Sequence, residues 1–224
     1  MGEKASRVLV VDDDCDILDL LKYNLEKEGF KVKTLEKSFR TVRVAKAFCP
    51  DLIILDIMMP HPNGIEICRE LRGMKRFAST YIFFLTAKSE SYYQYAALNT
   101  GGDDYIEKIV GLRALTYKVK SVLQRNFVIR KGIPEVKVGG LTISRKTNSV
   151  IFSDHEVVLN KAEFELLFFF AQNRDKLITS DNLINNIWGS EIYLFDTSVD
   201  IYIDNLKRKL GLDIIQRLRD KLYR

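Results

Sequence analysis

Val8-Leu9-Val10-Val11-Asp12-Asp13-Asp14, residues 8–14, is the stretch from which the fold can be read. Four consecutive apolar residues, three of them β-branched, fit a strand buried on both faces, since a half-exposed strand would alternate with polar residues. Three acids follow where that strand must end. Over residues 16–28 apolar side chains return at helical spacing (Ile17, Leu18, Leu20, Leu21, Leu25), and Gly29 stops the helix. The unit then repeats. Strands are predicted at 7–11, 31–35, 52–55, 81–85 and 105–106, and helices at 16–28, 38–48, 64–74, 89–99 and 112–125. Continuous apolar strands separated by helices imply a parallel sheet covered on both faces.

Five βα units in this length predict a flavodoxin-like (βα)5 domain, a doubly wound parallel sheet over residues 1–125. Its ligand site is expected at the carboxyl ends of the strands. Residues 126–134 read as a linker, and after it the rhythm changes. Residues 135–159 are β-rich, with turn signals at Gly139-Gly140 and Ser153-Asp154, and helices are predicted at 160–173, 180–188 and 196–210. Strands followed by three helices form a separate α+β domain over 135–224.

Composition narrows the class. The 224 residues are 46% apolar and 29% charged, as in a soluble globular protein rather than a disordered chain. No apolar run approaches the roughly 18 residues of a membrane span. The N-terminus leads directly into a strand with no export signal, so a cytoplasmic location is expected. Cys15, Cys49 and Cys68 lack metal-ligand spacing and read as reduced thiols. The net charge is +5, and residues 207–224 hold seven basic and two acidic side chains. Such a patch suits a polyanion.

The chemistry sits where the strands end. Asp12, Asp13 and Asp14 follow the first strand, Asp56 closes the third, Thr86 the fourth, and Lys108 follows the fifth. Carboxylates gathered at one edge repel one another unless a cation joins them, and oxygen ligands of this kind favour Mg²⁺. A carboxylate can attack phosphorus to give an acyl phosphate. Thr86 can donate to a phosphoryl oxygen and Lys108 can neutralise another. Singly, each residue also fits a plainer role: Asp14 or Asp16 as helix cap, Thr86 as turn residue, Lys108 as solvated charge.

The stretches VLVVDDD, DLIILDIMMPHPNG, FFLTA and GGDDYIEK, in that order over residues 7–125, resemble the receiver domain of response regulators. The resemblance implies that Asp56 accepts a phosphoryl group from a sensor histidine kinase. It implies Mg²⁺ held by Asp13, Asp56 and the backbone carbonyl of Met58, with Asp12 acting through water, and Thr86 and Tyr105 as the switch pair. One departure is Ile109, where the family usually has proline after the lysine with a cis peptide between them. A cis bond costs about 3–4 kcal/mol before a non-proline residue, so a trans peptide is expected.

Residues 135–224 resemble the winged-helix domain of the OmpR/PhoB family through LNKAEFELLFFFAQNRDKLITSDNLINNIWG and TSVDIYIDNLKRKL. In 196–210 the stripe Val199, Ile203, Leu206 and Leu210 faces a core. Thr197, Ser198, Tyr202, Asn205, Lys207 and Arg208 are then left to face a major groove of double-stranded DNA. Asp204 stands where relatives often have a basic residue. Arg217 and Arg219 align with backbone and minor-groove contacts, but the wing segment Arg219-Asp220-Lys221-Leu222-Tyr223 lacks both glycines of the family's turn. The resemblance further implies a homodimer through the receiver's fourth helix, fifth strand and fifth helix. Asp103 and Asp104 would pair with Lys118 and Arg125 across it, while Gln94 and Ala114 occupy two other positions of the usual charge network.

The expected function is that of a two-component response regulator that is phosphorylated on Asp56, dimerises, binds DNA and acts on the transcription machinery. It is no enzyme beyond removal of its own phosphoryl group. Two alternatives stand beside it. One is a DNA-binding regulator that works without phosphorylation. The other is a Mg²⁺-dependent phosphatase, whose Asp-x-Asp-x-Thr pattern is missing here, because Cys15 and Asp16 follow the acids.

Overall fold

The computed structural model describes residues 5–87, 91–108, 112–124, 134–174, 176–188, 196–211, 215–218 and 222–224. The chain forms two compact units, 1–124 and 125–224. Most of the predicted linker, 126–133, lies outside the described residues.

In the first unit β1 (Arg7–Val11), β2 (Lys31–Leu35), β3 (Leu52–Asp56), β4 (Tyr81–Thr86) and β5 (Asp104–Glu107) form one parallel sheet ordered β2-β1-β3-β4-β5. Between them run α1 (Cys15–Lys27), α2 (Thr41–Phe48), α3 (Gly64–Arg72) and α4 (Ser91–Asn99), and α5 (Leu112–Gln124) follows. The predicted helix over 38–48 divides into a 3-10 turn, Ser38–Arg40, and α2. Successive strand residues point to opposite faces. Val8, Val10, Leu52, Ile54, Phe83 and Leu85 therefore pack with Leu18, Leu21, Leu25 and Val119, on α1 and α5. Leu9, Val11, Ile53, Leu55, Ile82 and Phe84 pack with Ala45, Ile67, Leu71 and Ala97, on α2, α3 and α4. Each fully buried aliphatic side chain contributes roughly 1.5–3 kcal/mol. Both faces are thus covered, as the unbroken apolar strands require.

In the second unit β6 (Glu135–Val138), β7 (Leu141–Ser144), β8 (Ser149–Phe152) and β9 (His155–Val157) form an antiparallel sheet. Among the described residues three helical segments follow: α6 (Lys161–Gln172), α7 (Ser180–Leu183) continued by a π turn over Ile184–Trp188, and α8 (Asp196–Leu210). A capping box starts α6: Asn160 accepts from the Glu163 amide, and the Glu163 carboxylate accepts from the Asn160 amide. Two short strands, β10 (Ile178–Thr179) and β11 (Leu222–Tyr223), pair antiparallel. Backbone bonds also join 216–218 to 222–224, with Gln216 N–H donating to Arg224 at 2.7 Å and Leu218 N–H to Leu222 at 2.8 Å. The two flanks of the C-terminal hairpin therefore pair despite the missing glycines, and residues 219–221 lie outside the described residues. Among the described residues no helix is long and apolar enough to cross a membrane.

Candidate functional site

Strand order places the ends of β1, β3 and β4 side by side. Asp12 follows β1, Asp56 closes β3, and Thr86 lies one residue beyond Leu85, the register partner of Asp56. Local chemistry sorts the three leading acids. Asp14 caps α1, accepting from the amides of Asp16 and Ile17, so the plainer reading holds for it. Asp12 accepts from the Asp14 amide at 3.0 Å and is 1% exposed. Asp13 is exposed. One oxygen from each of Asp12, Asp13 and Asp56 falls within 4.8 Å of the others.

The pocket depends on close backbone contact. A Cβ on Gly64, the first residue of α3, would lie 2.2 Å from the carbonyl oxygen of Asp56. Only glycine lets α3 begin there, and Asn63 and Glu66 close its start with a capping box.

Lys108 Nζ lies 2.8 Å from Asp12 Oδ2 and 3.5 Å from Asp56 Oδ2. The lysine thus reaches the pocket, although Ile109 and the peptide expected to be trans lie outside the described residues. Asp56 is only 4% exposed. Burial and the neighbouring Asp12 charge raise its pKa, while Lys108 and the Met58 amide pull it back in part. Burial lowers the Lys108 pKa, but the two carboxylates outweigh it and leave the ammonium above its ordinary range.

Among the described residues the three carboxylates are opposed by Lys108 alone, so the cluster retains a negative charge that suits a divalent cation. Among the described residues, no hydrogen-bond donor meets the buried Asp56 Oδ1. An orphaned carboxylate oxygen is costly to bury, and hard oxygen donors match Mg²⁺. The residues fit the ion. Thr86 is fully buried, and Tyr105, paired in register with Phe84, is packed in the core beside β4.

Two groups of expected residues are placed differently. Asp103, Asp104 and Lys118 are buried inside the first unit rather than displayed on its surface. Asp103 pairs with Arg72 at 2.5 Å and accepts from the Ile82 amide, and Asp104 lies 2.6 Å from Lys118. Within the chain Asp103 is thus matched by Arg72 and Asp104 by Lys118, and Arg125 lies outside the described residues. Arg72, which sequence reasoning did not single out, holds the Gly101, Phe77 and Thr80 carbonyls as well.

On α8 the stripe Val199, Ile203, Leu206 and Leu210 is buried, but so are Tyr202 at 0% and Asn205 at 3% exposure. The predicted outward placement of Tyr202 and Asn205 is corrected. The stripe is one edge of a wider buried arc that also includes Ile201. Lys207 and Arg208 remain accessible, joined by Asp200 and Asp204, and the side chains of Thr197 and Ser198 lie outside the described residues. Arg217 on the hairpin reaches Asp200 at 3.0 Å and Asp204 at 3.5 Å, while Arg219 lies outside the described residues. The Tyr223 hydroxyl donates to Asp200 at 2.8 Å, and burial together with that carboxylate pushes its pKa up to about 12. The hairpin is thereby tied to α8. Within α6 the signal for such ties was two glutamates in an apolar run: Glu163 pairs with Lys209 at 2.5 Å and Glu165 with Arg145 at 2.6 Å.

A doubly wound domain with an acid-and-lysine pocket, followed by a winged-helix domain, defines the class of transcriptional response regulators. Comparison with known proteins agrees. A family described as "Response regulator receiver domain" matches residues 8–120, and one described as "Transcriptional regulatory protein, C terminal" matches 154–224. The chain belongs to the OmpR/PhoB family of response regulators. It is 33% identical to the phosphate regulon transcriptional regulatory protein PhoB of Rhizobium meliloti, over 97% of each chain. It is also 33% identical to the response regulator ArlR of Staphylococcus aureus, over 92% of this chain and 90% of that one. Among solved structures, the OmpR/PhoB homologue DrrB of Thermotoga maritima is 26% identical with a TM-score of 0.51, over 98% of each chain. A mutant of RitR, 20% identical over 98% of each chain with a TM-score of 0.78, shares the fold.

Proposed function

We propose that Asp56 is the phosphoacceptor of this regulator, charged by a sensor histidine kinase, and that its phosphorylation raises the affinity of the winged-helix domain for DNA. The observation that carries this reading is the convergence of Asp12, Asp13 and Lys108 on Asp56. In that reading Asp13, Asp56 and the Met58 carbonyl would hold Mg²⁺, with Asp12 acting through water. The ion would supply charge neutralisation for an incoming phosphoryl group. The chain's own groups do the rest. Asp56 provides the nucleophilic oxygen, Lys108 balances charge on the phosphoryl oxygens, and the Thr86 hydroxyl donates to one of them. Tyr105, the register partner of Phe84 two residues before Thr86, would act as the second member of the switch. Slow loss of the phosphoryl group to water would reset the protein.

In this account residues 126–134 link the two domains, and the protein works in the cytoplasm as a receiver-mediated homodimer on tandem half-sites, acting on the transcription machinery. With Asp103, Asp104 and Lys118 sealed inside, the exposed Tyr92 and Tyr95 of α4 and Tyr117 of α5 are the side chains offered for dimer contact. Lys207, Arg208 and Arg217 would meet phosphate or base edges, as would Thr197, Ser198 and Arg219.

The test compares wild type and D56N, each treated with acetyl phosphate and Mg²⁺, for binding to duplexes selected from a randomised pool. Wild type is expected to gain affinity on treatment and D56N to gain none. Equal affinity of D56N and treated wild type would reject the switch and favour a regulator that binds without phosphorylation.

A further inference from the structure

Among the described side chains, the accessible face of α8 is not simply cationic. Asp200, Asp204, Lys207 and Arg208 share it, because residues four apart, and seven or eight apart, fall on one side of a helix. The two carboxylates differ in how they are committed. Asp200 Oδ1 accepts the Tyr223 hydroxyl at 2.8 Å and lies 3.0 Å from Arg217, so it anchors the hairpin. The Asp204 side chain is 63% exposed and meets Arg217 only at the outer limit, 3.5 Å. A carboxylate in the middle of a helix face that approaches DNA would be repelled by phosphate, unless it reaches past the backbone to a donor on a base edge.

Resting on the reading of α8 as the major-groove helix, we propose that Asp204 is a specificity-determining residue that reads the exocyclic amino group of a cytosine. An ionised carboxylate only accepts hydrogen bonds. In the major groove guanine presents two acceptors, and thymine an acceptor beside a methyl group. Adenine offers a donor, but its N7 acceptor stands next to it and faces the second carboxylate oxygen. Cytosine offers the N4 amino donor with no acceptor of its own alongside. The chemistry of Asp204 therefore selects cytosine and discriminates most strongly against guanine. Arg217 offsets its charge near the phosphates while leaving most of the carboxylate accessible.

The test is selection from a randomised duplex pool with the full chain as wild type, Asp204→Ala and Asp204→Asn, followed by sequencing and by affinity measurements on the recovered sites. Asp204 is exposed, and matched thermal melting of the three proteins confirms that each is folded. Wild type is expected to select a motif with cytosine at one position in each half-site. D204A should lose preference at that position alone. D204N should move it to adenine, whose N6 and N7 match a carboxamide. Replacing the cytosine should weaken wild type by about tenfold and D204A hardly at all. If D204A and D204N select the same motif as wild type and bind all sequences uniformly more tightly, Asp204 only repels DNA and the inference is overturned. If wild type itself enriches no motif, the DNA-reading assignment of α8 fails with it.

Discussion

Aspartate does opposite work in the two domains. In the receiver, Asp12 and Asp56 are almost wholly buried at strand ends, where their shared negative charge is held in place by one lysine. In the winged helix, Asp204 stands at the surface of a helix, tempered by Arg217 and open to solvent, while Asp200 beside it is committed to Tyr223 and Arg217. Burial makes the difference. A crowded, desolvated carboxylate is primed to meet a cation or an electrophile, whereas a hydrated one is free to choose among hydrogen-bond donors. Asp103 and Asp104 form a third case, buried but matched by internal cations, and serve structure.

The largest stability effect is expected where a buried acid loses its partner. K118M leaves Asp104 buried opposite no cation, so urea denaturation at neutral pH should show a loss of about 3 kcal/mol. Burial raises the Asp104 pKa. As pH falls through that raised value the carboxyl becomes neutral, so the deficit of K118M should shrink on acidification and be largest at neutral pH. A K118M/D104N pair should recover much of the loss. An exposed pair would instead give less than about 1 kcal/mol, and that result would return these residues to the surface.

Next comes the backbone contact that shapes the pocket. G64A forces a Cβ against the Asp56 carbonyl and should cost about 2 kcal/mol while slowing phosphoryl uptake. Unchanged stability and uptake would show that α3 does not fix the position of Asp56.

Metal binding should have a smaller effect. Mg²⁺ at ten times its Kd should raise wild-type stability by about 1.4 kcal/mol, and chelation should remove that gain. The folded-state pKa of Asp56 is raised, so folding takes up a proton between the ordinary and the raised value, and stability without metal falls as pH climbs through that window. D56N should remove this decline and be more stable than metal-free wild type at neutral pH. Parallel pH profiles for the two would mean that Asp56 carries no such strain.

The smallest effect concerns the hairpin. R217A should lower the log–log slope of DNA affinity against salt by about 1, as expected for one lost phosphate contact. An unchanged slope would leave Arg217 solely as a brace between the hairpin and α8.

The receiver was legible in the sequence because its signals are local. Unbroken apolar runs such as 8–11 and 52–55, each ending in aspartate, fix strand, direction and site together. The winged helix was less legible because its partners are distant in sequence. The stripe at Val199, Ile203, Leu206 and Leu210 marks one edge of a buried arc, and nothing local shows that Tyr202 and Asn205 are covered as well. Periodicity reports one core contact, whereas α8 is packed over a wider arc. The same limit applies to Asp103, Asp104 and Lys118: motif order located them, but their burial depends on Arg72 and on the packing of α5 against the sheet. The C-terminal hairpin also formed without turn glycines, since its strands are held by β10 and by the Tyr223–Asp200 bond.

Asp56, in a metal-assisted pocket, is the residue proposed to take the phosphoryl group. Intact-mass measurement after incubation with acetyl phosphate addresses this directly. Wild type should gain one phosphoryl group in the presence of Mg²⁺ and none after chelation, and D56N should gain none under either condition. Equal uptake by D56N, or uptake by wild type that ignores Mg²⁺, would contradict it.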